Sequence, residues 1–146
     1  MKNLFETRVQ GTAATLMFSV GAKIVPVFDF IVPEDVLPKV LTGYGLLPGV
    51  VRTSGNTGPW DSPGSSRTVH LADGTTARET VTAYARPRHF SYRTDQYTFA
   101  LRHFANSAVG EWWFDELLDR THVKWTYTFN SKGILTVPIL KLFVRL

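Results

Sequence analysis

The sequence predicts an α+β domain in which an antiparallel sheet wraps around a final helix, and three observations predict it. The first is Thr121–Phe129, where Val123, Trp125, Tyr127 and Phe129 recur at every second position with Lys124, Thr126 and Thr128 between them. Period two with β-branched and aromatic residues marks a strand with one buried face. The second is a partner strand just before it, Val109 to Glu116. The third is Gly133–Leu146, which is apolar nearly all round and so has to be covered on most sides.

A chain of 146 residues fits one domain, 1–146, with one substantial core. Hydrophobic residues at 44% and charged residues at 19% place it among globular chains, not disordered or collagenous ones. Aromatics reach 13%, a load that points to a roomy, ring-lined interior. With no cysteine, the chain has no disulfide staples, thiolate zinc site or cysteine nucleophile, which fits a cytoplasmic location. Charged residues appear before any apolar stretch of signal-peptide length. No run approaches the ~18 apolar residues that read as a bilayer span. The net charge of +4 is scattered among Thr, Ser and aromatic residues, the pattern of a solvated sheet face, and no nucleic-acid surface is expected.

In chain order, residues 4 to 20 read as a long first strand or a strand with a bulge. Pro26 suits the first turn of a helix, where its missing N–H costs nothing, and Val27, Phe28 and Ile31 then share one helical face. Pro33-Glu34-Asp35 starts a second short helix with acids at its positive dipole end. Gly43 to Gly49 is expected as a loop, followed by a short strand at Val50–Thr53. Residues 56 to 66 are dense in Gly, Pro, Ser and Asn, and therefore irregular. Arg67–Leu71 and Thr75–Tyr84 form a hairpin around Ala72-Asp73-Gly74. A three-residue loop with Gly74 in the left-handed position pairs Val69 with Ala77 and Arg67 with Glu79, which keeps one apolar face and sets opposite charges across from each other. A four-residue loop then places Ala83 opposite Phe90 and Val81 opposite Tyr92, with Phe90, Tyr92 and Thr94 on one face. If Leu117 to Arg120 is the next turn, Trp112 faces Trp125 and Phe114 faces Val123.

The order is thus strand, two short helices, six strands and a terminal helix. It comes with Leu47-Pro48-Gly49-Val50, Gly64-Ser65-Ser66-Arg67, Asp73-Gly74, Glu79, Phe90-Ser91-Tyr92 and Thr121-x-Val123-x-Trp125. Together these features resemble the START-like, Bet v 1-like superfamily, and most closely its bacterial polyketide cyclase/dehydrase and lipid-transport branch, from about Leu16 onward. The resemblance implies a helix-grip fold: a curved antiparallel sheet, two short helices after strand 1, and a C-terminal helix packed on the concave face over a hydrophobic cavity. Relatives bind lipids, sterols, quinones, polyketides or plant hormones, and some catalyse cyclisation or dehydration. No catalytic residue is universal among them, so the resemblance implies a pocket and not a mechanism. The terminal segment of about fourteen residues, ~21 Å as a helix, is shorter than in such relatives and holds Pro138. This departure implies either a longer chain or closure of the cavity by other means, such as a second subunit.

Glu79 shares its face with Ala77, Val81 and Ala83, small residues that leave space above the sheet. It either forms a cross-strand ion pair with Arg67, or orients a ligand hydroxyl or acts as an acid or base. Arg67 would meet a ligand carboxylate or enolate through its planar fork, or simply partner Glu79. Tyr92 and Tyr127 point inward, where their hydroxyls reach a ligand carbonyl or a backbone acceptor. Val81, Phe90, Trp112, Phe114 and Trp125 complete the expected ligand-binding set, with Glu79, Arg67 and Tyr92 as the catalytic candidates. Trp60 either folds over the pocket mouth or pins its loop. His70, His89, His103 and His122 have no metal-ligand spacing, and neither a metal nor a cofactor is expected. The expected partner is a small hydrophobic ligand, bound by a monomer or homodimer. The rival classes are a cyclase or dehydratase using the same cavity, and an interaction module docking on a membrane or protein, where Lys141 and Arg145 would flank the terminal segment.

Overall fold

The computed structural model describes residues 5–10, 13–32, 43–44, 47–98 and 100–133. In chain order these form β1 (Phe5–Gln10), β2 (Ala13–Val20), α1 (Ile24–Ile31), β3 (Gly43–Tyr44), β4 (Leu47–Pro48), β5 (Val50–Ser54), β6 (Ser66–Leu71), β7 (Thr76–Ala85), β8 (His89–Asp95), a 3-10 turn (Ala100–His103), β9 (Ala105–Leu117) and β10 (Arg120–Ser131). Eight strands make one antiparallel sheet in the order β1-β2-β10-β9-β8-β7-β6-β5, and β3 pairs only with β4. The curved sheet and the helix that follows its first hairpin make this the helix-grip α+β fold.

Three expectations are corrected. The single first strand is a hairpin: Phe5 pairs with Phe18 and Gln10 with Ala13, so the chain reverses between β1 and β2. Alternating polarity looks the same along one long strand as along two arms, and the glycine at 11 was the only break in it. Between Gly43 and Gly49 the chain forms the two-residue strands β3 and β4, too short for periodicity to reveal. The third correction is in β7, where a bulge between Val81 and Ala83 sets Tyr84, not Ala83, opposite Phe90. Val81 still faces Tyr92. The second short helix and the terminal helix lie outside the described residues.

The other registers follow the alternation of the sequence. Arg67 pairs with Glu79 and Val69 with Ala77. Trp125 pairs with Trp112 and Val123 with Phe114. The core falls in three clusters, the smallest of them Val50, Val69 and Leu71 on β5 and β6. Ile24, Val27 and Phe28 of α1 pack on Val81, Phe90, Phe114 and Val123 at one end. At the other end, Tyr97 and Leu101 pack on Ala77, Ala108 and Phe129.

Candidate functional site

The β6–β7 turn fixes the first polar feature. Gly74 takes φ +83°, which only glycine adopts freely, and its N–H donates to the Leu71 carbonyl at 3.0 Å. The Thr75 N–H donates to Asp73 Oδ1 at 3.0 Å. This locks the register that puts Arg67 and Glu79 side by side on the inner face, each 3% exposed. Arg67 Nη2 lies 3.4 and 3.5 Å from the two Glu79 oxygens. That is longer than the ~2.7–2.9 Å of a tight charge-assisted bond. Burial pushes the Glu79 carboxyl above its ordinary range, and the Arg67 charge and hydrogen bond oppose that rise.

The irregular loop supplies the third member of the group. Its backbone is stitched to the sheet by Gly64 N–H to the Val81 carbonyl at 2.8 Å and Val81 N–H to the Ser65 carbonyl at 2.9 Å. The loop thereby delivers Trp60, which is buried, to the Arg67 guanidinium, 3.8 Å above the indole ring. Trp60 is therefore a wall of the interior.

Tyr92 is placed by glycine. Gly110 stands opposite it on β9, and a Cβ there would lie 2.2 Å from Tyr92 Cζ, so the ring occupies space that any other residue would fill. Burial pushes the Tyr92 phenol well above its ordinary range, so it keeps its proton. The Tyr127 hydroxyl lies 3.0 Å from Thr94 Oγ1, itself 2.7 Å from the Tyr97 hydroxyl. Burial pushes the Tyr127 phenol up to about 12.

Between α1 and the sheet lies a cavity of about 550 Å³. Leu16, Phe18 and Val20 of β2 form one side, and Val27, Phe30 and Ile31 of α1 form the roof. Phe90, Trp112 and Trp125 form an aromatic floor, with Trp60, Tyr92 and the Arg67–Glu79 pair also lining it. Trp112 and Trp125 stack at 5.2 Å with planes 13° apart. The roof is tied down at both ends. The Ile24 N–H donates to Glu116 Oε1 at 3.0 Å, and Lys23 pairs with Asp119. Arg86 grips Asp29 through Nε and Nη2, both at 2.7 Å.

Of the expected ligand-binding residues, Glu79, Arg67, Phe90, Tyr92, Trp112 and Trp125 meet around this cavity. Val81 and Phe114 are packed in the core beneath α1, where Phe28 touches Phe114 at 5.0 Å, and the Tyr127 hydroxyl is engaged by Thr94. The side from β2 and the roof from α1 were not anticipated as site residues. They reach the cavity because β2 pairs with β10, a contact between distant parts of the chain. Among the described residues, no three His, Cys, Asp or Glu side chains gather as metal donors, and no helix is long and apolar enough to cross a membrane.

The outer face of the same strands is open and polar. His89 stacks on Trp113 at 4.0 Å, Ser19 Oγ lies 2.6 Å from His122 Nδ1, and Arg88 pairs with Asp115 at 3.4 Å. Together with Met17 and Lys124 they line an open groove of about 710 Å³.

Several solved structures share the fold. Protein Ms6760 from Mycobacterium smegmatis is 17% identical, with 96% of this chain and 85% of that one covered at a TM-score of 0.60. Ara h 8.0201 is 13% identical, with 90% and 97% covered at 0.65. The major latex-like protein 151 of Panax ginseng is 16% identical, with 92% and 93% covered at 0.58. No curated protein matches the chain. These structures share the Bet v 1-like fold. The family model described as polyketide cyclase / dehydrase and lipid transport matches residues 27–145, and the chain belongs to that family.

Proposed function

We propose that the protein binds a small hydrophobic molecule, such as a lipid, quinone, polyketide or other aromatic, in the cavity between α1 and the sheet. The observation that carries this reading is the cavity itself: about 550 Å³, walled by aromatic and aliphatic side chains, with a few convergent polar groups. Binding draws mainly on apolar burial, at ~25 cal/mol per Å² before ordering costs. Tyr92 and the Arg67–Glu79 pair orient the ligand. A cytoplasmic carrier fits a chain without cysteine.

A cyclase or dehydratase is the second reading. It is favoured by one observation, a buried carboxyl with raised pKa at the cavity wall near a phenol that keeps its proton. Native mass spectrometry of the purified protein, followed by solvent extraction, tests the first reading. A stoichiometric co-purifying lipid, quinone or aromatic is the expected result. An empty protein that converts a polyketide chain and loses turnover in Glu79→Gln would replace the carrier with the enzyme.

A further inference from the structure

We infer that the Tyr92 ring is the inner end wall of the cavity, and that it selects compact ring compounds over long acyl chains. This inference rests on the proposed ligand-binding role and names the residue that sets the length of ligand the cavity buries.

The cavity stops at one row of the sheet. Leu16 of β2, Trp125 of β10 and Trp112 of β9 line it. The next inward positions on those strands are Ala14, Tyr127 and Gly110, and they stand in register with one another and with Tyr92 of β8. Of this row, only Tyr92 lines the cavity among the described residues. Ala14 and Gly110 have too little side chain to close it, and the Tyr127 hydroxyl is turned to Thr94. What fills the row is the Tyr92 ring, which lies across Gly110 where a Cβ would be 2.2 Å from its Cζ. Behind it begins the second core cluster, with Ala77, Ala108, Leu101 and Phe129. On the side of β2 the lining runs from Leu16 to Val20, about 14 Å of strand at ~3.4 Å per residue. That length suits two or three fused rings and is short for an extended long chain. Tyr92 is thus a specificity residue through the bulk of its ring.

The test uses 9-fluorenone and 2-n-alkyl-9-fluorenones of increasing chain length, measured by equilibrium dialysis against the full chain. In the wild type, the gain in affinity per added methylene should stop after the first few carbons, because later ones stay in water. Tyr92→Ala should carry the gain to longer chains, at about fourfold per newly buried methylene. It should therefore bind the longest member about tenfold or more tighter than wild type does. Tyr92→Phe keeps the ring and should leave the wild-type plateau where it is. Should Tyr92→Ala fail to fold, Tyr92→Leu, which is shorter than the ring, is read in the same way. A plateau at the same length in wild type and in the shortened variant overturns the wall while leaving cavity binding intact, as does a wild-type gain that continues to the longest chain. A wild-type protein that binds no member of the series overturns the cavity reading as well.

Discussion

The two faces of one sheet carry the same kinds of residue and use them in opposite ways. On the inner face, a guanidinium and a carboxylate are paired at 3% exposure and roofed by an indole. On the outer face, Arg88 and Asp115 pair at the same 3.4 Å with side chains 68% and 77% exposed. Water solvates the outer pair whether or not it forms, so its net worth is small. The inner pair has lost its water, so each partner depends on the other. The aromatic residues differ likewise. Trp112 lies inside the cavity, while its neighbour Trp113 stacks on His89 at the surface, because successive residues of β9 point to opposite faces. What distinguishes the inner face is the burial of a residue type, not its presence.

The largest effect should come from breaking the inner pair on one side only. Arg67→Met leaves a buried carboxylate without its cation and should cost about 3–5 kcal/mol in a urea titration, with most of it recovered in the double variant Arg67→Met/Glu79→Leu. A single-variant loss no larger than that of Arg88→Met would erase the distinction between the faces.

Gly110→Ala is expected next, at about 1–3 kcal/mol, because the new methyl overlaps the Tyr92 ring. In a Tyr92→Ala background the same substitution should be nearly neutral. If the cost persists there, Tyr92 is not what the glycine accommodates.

The pH dependence separates the buried pair from an exposed one by sign. The Glu79 pKa is raised by burial, so the folded protein holds that proton to higher pH than the unfolded chain. Its contribution to stability is full below the unfolded value and is lost as pH rises through the folded one. Asp29, held by Arg86, is lowered and behaves in the opposite sense: its contribution is present above its ordinary value and lost as pH falls through the folded one. Melting temperatures from pH 4.5 upward should therefore decline less steeply in Glu79→Gln than in wild type. An unchanged slope would mean that Glu79 does not titrate differently on folding.

Arg88→Ala should have the smallest effect, within ~1 kcal/mol, fading as salt is added.

Much of this contrast can be read in the sequence, because alternation reports which face a residue occupies. The Arg67–Glu79 and Trp112–Trp125 pairings followed from alternation plus a turn of fixed length. Pro26 and the Val27, Phe28, Ile31 spacing located α1. The bulge at Val81–Ala83 did not show, since Thr82-Ala83-Tyr84 has no signal that one residue is extra, and so Tyr84 against Phe28 was missed. The β2 and α1 walls were equally hidden. They depend on β2 choosing β10 as its neighbour, a long-range pairing that local pattern does not encode.

The central claim, that the inner cavity is the binding site, is tested most directly by methyl and indole NMR shift mapping during a titration with 9-fluorenone. The account predicts shifts at Leu16, Val27, Trp60, Trp112 and Trp125, which line the cavity, with Met17 and Trp113 unmoved. Shifts confined to Met17, Trp113, His89 and His122 would place the ligand in the outer groove and contradict it.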